Sequence, residues 1–209
     1  GGEDSISNLH LSKLVGSVRT YAYLGEELSA SNWTQALRDG KTFFTTGPLL
    51  TFEIADKIAG EAVRLGASGG TVQAQALVRS ITPIAKAIIY RNGEVFKELD
   101  ISDDHLTASL EEEWQVDGSG WYALYVEGPN SRWLDAGYAQ AGTNAIRVYV
   151  GDEEIRNRAS ADYFVEWIDK LQAMAAEWPW WRSEAERQHV FEQFSEARNR
   201  YVELGQEDQ

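Results

Sequence analysis

This sequence predicts a mostly β fold with some α: an antiparallel β-sandwich followed by a C-terminal antiparallel helical hairpin. Three observations lead there. Roughly nine short runs alternate apolar and polar residues between Gly-containing turns, the pattern of strands with one buried face. From Ser160 onward the apolar period lengthens to about 3.6, that of a helix. The chain has 209 residues, 43% of them hydrophobic, enough for one large domain or two small ones with a real core.

Residues 1–16 are polar and rich in Gly and Ser, with Leu9, Leu11, Leu14 and Val15 as sparse anchors, and predict irregular structure. Over 17–24, Val18, Thr20, Ala22 and Leu24 alternate with Arg19, Tyr21 and Tyr23, a strand signature. A short helix follows. Ser29 or Ser31 caps it, Trp33, Ala36 and Leu37 form its apolar stripe, and Gly40 ends it. Next, strand residues flank a corner, Thr45-Thr46-Gly47-Pro48. Phe43, Phe44 and the threonines suit a pleated, half-buried surface, Gly47 admits a positive φ, and Pro48 bars helix. Leu50, Phe52 and Ile54 then alternate with Thr51 and Glu53.

The stretch from Gly60 to Gly70 reads as loop. Alternation returns over 71–80, where Val72, Ala74, Ala76 and Val78 share a face, and a further strand spans 84–91. Asn92-Gly93 is a two-residue hairpin signal, so 94–99 runs back. Strand 106–116 carries a solvated Glu111-Glu112-Glu113 before Trp114 and Val116. After the turn Asp117-Gly118-Ser119-Gly120, Trp121, Ala123 and Tyr125 share one face of 121–127. Runs at 137–141 and 145–150 complete the set.

Beyond Gly151, Phe164, Trp167, Ile168, Leu171, Ala175 and Trp178 recur at helical spacing, with Ser160 as the expected cap and Pro179 as the breaker. Ser183-Glu184-Ala185-Glu186 has capping-box spacing and opens a second helix, whose seam is Val190, Phe194, Ala197, Tyr201 and Leu204. Such a hairpin must cover its stripes on the sandwich, on another domain or on a second copy. The expected organisation is 1–16 irregular, 17–150 sandwich with one short helix, and 151–209 hairpin packed on the sandwich.

There are 33 acidic and 19 basic residues, a net charge of -14. Such a surface repels nucleic acid phosphates and anionic lipid, so neither is an expected partner. The absence of cysteine removes disulfides, thiolate zinc sites and Cys nucleophiles. No apolar run approaches the ~20 residues of a membrane span. Gly1-Gly2-Glu3-Asp4 is not a signal peptide and reads as a start within a larger protein.

Few residues suggest chemistry. Asp4, Asn8 and His10 are candidate metal ligands, against a plain solvated loop. His105 beside Asp103 and Asp104 offers a general base or half a metal site, again against a solvated loop. His189 reads as a rim histidine beside the second helix's seam. Ser119 lacks the strand-to-helix context of a nucleophile elbow. Trp121, Tyr122, Trp133 and Tyr138 are candidates for a sugar-stacking platform, and Trp178, Trp180 and Trp181 for a partner surface, with core and corner packing as the alternative for each.

Several of these segments resemble, in order and spacing, the C-terminal region of PHP-type metal-dependent hydrolases of the CehA/McbA-like family. They are Gly2-x-Asp4, Arg19-Thr20-Tyr21, Trp33 to Gly40, Thr46-Gly47-Pro48, Ser119-Gly120-Trp121, Tyr163 to Ile168 and Glu196 to Tyr201. In that family a barrel with two or three divalent metals, zinc or manganese for example, hydrolyses esters or phosphoesters through a metal-activated hydroxide, and a sandwich follows it. The last barrel motif is of Gly-x-Asp-x-His type. Gly2 and Asp4 match it, but Ile6 stands at the second ligand's place, and His10 is the next imidazole. The resemblance implies a non-catalytic accessory domain, inactive alone, partnered by an upstream barrel of the same chain, with 1–16 as that barrel's remnant. It also implies a periplasmic or secreted protein; a homodimer is a further possibility. The alternatives are a free-standing carbohydrate- or ligand-binding sandwich, and a small hydrolase built on Asp4, His10 and the His105 loop.

Overall fold

The computed structural model describes residues 14–25 and 27–206. The chain divides into two compact units, one ending at Ile155 and the other starting at Arg156. The first is an antiparallel-rich sandwich and the second a helical hairpin, as the apolar periods predict.

In chain order the elements of the first unit are β1 (Arg19–Ala22), α1 (Ala30–Asp39), β2 (Thr42–Thr45), β3 (Leu49–Ile54), β4 (Ala62–Leu65), β5 (Gly70–Arg79) and β6 (Lys86–Arg91). Then come β7 (Glu94–Glu98), β8 (Asp100–Ile101), β9 (Thr107–Val116), β10 (Gly120–Asn130), β11 (Tyr138–Thr143) and β12 (Ile146–Val150). An eight-stranded sheet runs β1-β2-β11-β10-β12-β4, with β6 on the other side of β10 and β7 beyond it. The four-stranded sheet runs β3-β5-β9-β8. The long strand β10 organises the larger sheet. It pairs β6 over Tyr122–Glu127, while on its other side it pairs β12 at its start and β11 towards its end.

Alternation decides what faces inward. Val72, Ala74, Ala76 and Val78 of β5 are buried, as are Tyr122, Leu124 and Val126 of β10 and Ile146, Val148 and Val150 of β12. One aromatic knot anchors this core. Phe96, Trp114 and Tyr122 meet at centroid distances of 4.9, 5.4 and 5.6 Å. Such pairs add about 0.5–1.5 kcal/mol each beyond their buried area.

The Thr-Thr-Gly-Pro corner carries the chain from one layer to the other, since β2 lies in the large sheet and β3 in the small one. Two hydroxyls fasten it. Thr45 Oγ1 donates to the Pro48 carbonyl at 2.5 Å and accepts from the Gly47 N–H at 2.8 Å. Thr46 Oγ1 donates to the Tyr138 carbonyl at 2.7 Å and accepts from the Gln140 N–H at 2.8 Å. Gly47 does not use the positive φ open to it. A Cβ there would meet Leu134 Cδ2 at 3.0 Å, so close packing is what favours glycine.

Ser29, not Ser31, caps α1, accepting from the Asn32 N–H at 3.1 Å, and Gly40 closes it at φ 73°. Asn92 and Gly93 take φ of 53° and 95°, the positive pair of a tight hairpin. A second hairpin turn, Ala55-Asp56 at 49° and 58°, joins Ile54 to Lys57 without any Gly or Asn to announce it. Strand β4 lies inside the stretch read as loop. It pairs β12 in parallel from Ala62↔Arg147 to Leu65↔Val150, a long-range partnership that makes a four-residue segment a strand.

The second unit holds α2 (Arg158–Ala176) and α3 (Glu184–Leu204). Asn157, not Ser160, caps α2; its side chain accepts from the Ser160 N–H at 2.9 Å. Ser183 caps α3 through the Glu186 N–H at 3.1 Å, and Glu186 returns to the Arg182 N–H at 2.9 Å. The helices run antiparallel. Phe164 stacks on Tyr201 at 4.8 Å, and Asp169 takes both Arg198 Nε and Nη2, at 2.8 and 3.3 Å. Phe191 and Arg198 join Val190, Phe194 and Tyr201 in the α3 seam, where Ala197 and Leu204 were expected but are exposed.

Candidate binding surfaces

Asp4 and His10 lie outside the described residues. His105 sits exposed in the loop between β8 and β9 at φ 59°. Its neighbour Asp104 is occupied by that loop, accepting from the Ser102 hydroxyl at 2.6 Å and the Leu106 N–H at 3.0 Å. These bonds, the serine foremost, hold the Asp104 carboxyl below its usual range. His189 is exposed on α3. Among the described residues no three His, Cys, Asp or Glu side chains gather as a metal site would need.

Ser119 is a structural staple. Its hydroxyl donates to the Glu153 carbonyl at 2.8 Å and accepts from the Val150 N–H at 2.9 Å, while its own N–H donates to Glu153 Oε2 at 2.8 Å. The start of β10 is thereby tied to the end of β12.

The four-residue aromatic platform does not form. Tyr122 is 1% exposed inside the core, where burial pushes its hydroxyl pKa up. Its neighbour Trp121 points to the opposite face of the same strand, because side chains alternate. Trp133 lies beyond the far end of β10, with the Arg132 guanidinium 4.7 Å from its ring centre, and Tyr138 opens β11. From Trp121 to that end the strand runs roughly 30 Å at its per-residue rise. The tryptophans at the helical corner also diverge. Trp178 and Trp180 are exposed, at 55% and 77%, whereas Trp181 packs on Phe191 at 6.4 Å.

A different constellation occupies the outer face of the large sheet. Trp121 of β10 stands in register with Arg147 of β12, and Tyr149 of β12 with Arg64 of β4. These four side chains, with Asn144 and Glu154, line an open depression of about 730 Å³. The Arg64 guanidinium lies 4.8 Å from the Tyr149 ring centre, a cation–π contact. Among the described residues neither Arg64 nor Arg147 has a carboxylate within ion-pair distance. The outer face of the small sheet is its opposite in charge, with Glu53, Gln75 and Glu111 side by side in one row.

A second hollow, about 290 Å³, opens between the sheets at the β2–β3 edge, walled by Tyr21, Phe43, Leu50, Phe52 and Ile58. Tyr21 and Phe43 stack at 5.0 Å across β1 and β2. Lys41 and Glu61 pair at 3.2 Å. Burial pushes the Glu61 carboxyl up, but the Ile58 N–H and Lys41 outweigh it and hold the carboxyl below its usual range.

Sequence reasoning found Trp121 and missed Arg64, Arg147 and Tyr149. The alternation Ile146-Arg147-Val148-Tyr149-Val150 does place Arg147 and Tyr149 on one outward face. Arg64 joins them only through the parallel β4–β12 pairing, which leaves no local signal.

No protein-family model matches the chain, and no curated protein does. Among solved structures it is similar to the crystal structure of an engineered protein, with 16% identity and a TM-score of 0.28 over 49% of this chain. The match spans 20% of that protein's chain and carries no argument about function.

Proposed function

We propose that this chain is the non-catalytic accessory β-sandwich of a PHP-type metal-dependent hydrolase, bracing the barrel or shaping its substrate entrance. The reading rests on the ordered motif resemblance. It is supported by one observation: the sandwich gathers large exposed apolar side chains where the chain enters it. Leu14 and Val15 are exposed there, and so are Trp133 and Tyr138 of the β10–β11 connection. The Leu14 N–H donates to Asp135 at 3.0 Å and ties the two stretches together. An upstream domain docked on this end would cover them. Zinc, manganese or a similar ion, and the hydrolytic step, belong to the parent barrel in this reading; the described residues take no part in either.

Metal content and esterase and phosphodiesterase turnover test it, measured on this chain and on the protein extended upstream with a barrel. The expected result is metal and turnover in the extended protein only. Stoichiometric metal with hydrolysis by this chain alone overturns it.

A second reading, a carbohydrate- or ligand-binding sandwich, is favoured by the depression around Trp121. Titration against a glycan panel tests it, and no binding to any glycan defeats it.

A further inference from the structure

The geometry points to an acidic saccharide, a pyranose bearing a carboxylate, as the ligand of the Trp121–Arg147–Tyr149–Arg64 face. The inference rests on the ligand-binding reading and names its ligand class. Three features carry it.

The first is charge. Arg147 and Arg64 lie on adjacent strands two residues out of register, Arg147 opposite Ala62. Like charges on neighbouring strands are unfavourable, and in a chain of net charge -14 an ion-pair partner would be easy to supply. Neither has one among the described residues, so the pair is arranged for an anion from outside. Guanidinium is the side chain suited to this, since its planar fork matches a carboxylate with two parallel hydrogen bonds.

The second is the aromatic beside it. Trp121 stands opposite Arg147 on the same open face. An indole face set next to a cation on a flat sheet takes the apolar face of a sugar ring while its acidic substituent reaches the guanidinium.

The third is the rim. Asn144 and Glu154 border the depression. An amide and a carboxylate both accept from hydroxyls. The same carboxylate repels a dianionic phosphate, which disfavours nucleotides and favours a ligand with one negative charge and many hydroxyls. At about 730 Å³ the depression has room for a short oligosaccharide.

The test is calorimetric titration of the full chain with a galacto-oligosaccharide ending in a single galacturonate, with neutral galacto-oligosaccharide of equal length, and with a nucleoside monophosphate. The expected outcome is binding of the uronate at least tenfold tighter than either of the others. Arg147→Gln and Trp121→Ala should each weaken it tenfold or more, with far-UV circular dichroism unchanged. Arg64→Gln should weaken it less, because that guanidinium is held by Tyr149. Arg79→Gln, which removes one positive charge from the other sheet, should leave it unchanged. Equal affinity for the neutral oligosaccharide overturns the acidic class and leaves the ligand-binding reading standing. Tighter nucleotide binding overturns the saccharide class. Unchanged uronate binding in both Arg147→Gln and Trp121→Ala overturns the site, and no binding of any saccharide defeats both readings.

Discussion

The sandwich and the hairpin spend their apolar residues differently. In the sandwich, alternate residues of β5, β10 and β12 are buried almost completely, Ala74, Val78, Leu124, Ile146 and Val148 at 0% exposure. In the hairpin, helices of 19 and 21 residues bury only Ala161 and Ile168, while Tyr163, Trp167 and Met174 of α2 and Trp178 just beyond it remain exposed. Geometry is the reason. A sheet hides a whole face against its opposite layer, whereas two helices touching along one seam leave most of each circumference outside. Sandwich stability therefore sits in side chains packed between layers. Hairpin stability leans on caps, the Asp169–Arg198 pair and a few ring contacts.

The largest effect that would break this contrast lies in the aromatic knot. Tyr122→Ala should destabilise the sandwich by about 3–5 kcal/mol in chemical denaturation. Trp180→Ala in the hairpin corner should stay within about 0.5 kcal/mol. Comparable losses would mean that the two regions are held together in the same way.

Next comes Ser119→Ala, which strands the Val150 N–H. It should cost about 1–3 kcal/mol and raise hydrogen exchange where β10 meets β12. A neutral result would show that Glu153 alone holds that junction.

A smaller effect, of opposite sign, is expected at the Ala55-Asp56 turn. Asp56→Gly relieves a positive φ on an exposed residue and should raise the melting stability by up to about 1 kcal/mol. A loss would mean that the aspartate side chain supports the turn.

The smallest effect concerns pH. Arg198's hydrogen bonds hold the Asp169 carboxyl below its ordinary value. A lowered native pKa contributes stability that is fully present above the unfolded value, about 3.9. That contribution is lost as pH falls through the native value. Hairpin helicity should thus hold from pH 7 to 5 and decline further down. Asp169→Asn should remove that part of the decline, as read by circular dichroism.

How much could be read in advance follows from how local each signal is. Asn92-Gly93 announced its turn because two positive φ angles select those residues; Ala55-Asp56 takes the same pair of angles with none of that chemistry. The cap at Ser29 and the capping box at Ser183 were legible, being contacts within one turn of helix. The capping of α2 by Asn157 was missed because Ser160 competes for the same role three residues on. The alternation of 121–127, legible in the sequence, already sets Trp121 and Tyr122 on opposite faces, so a platform that pairs them conflicts with the strand itself. The face that does form needed Arg64, from a segment with too few residues to show any period.

Residue order by itself determined the alternation of β5, β9, β10 and β12, the helical period after Ser160, the end of α1 at Gly40 and the charge of -14. These depend on contacts or angles spanning a few residues. Tertiary structure alone decided that the Thr-Thr-Gly-Pro corner crosses between layers, that Ala62–Leu65 is a strand, and that Arg64 stands beside Tyr149 and Arg147. Each of these is a choice of partner between distant segments. A strand's own residues say which side it buries, but not which edge it will meet.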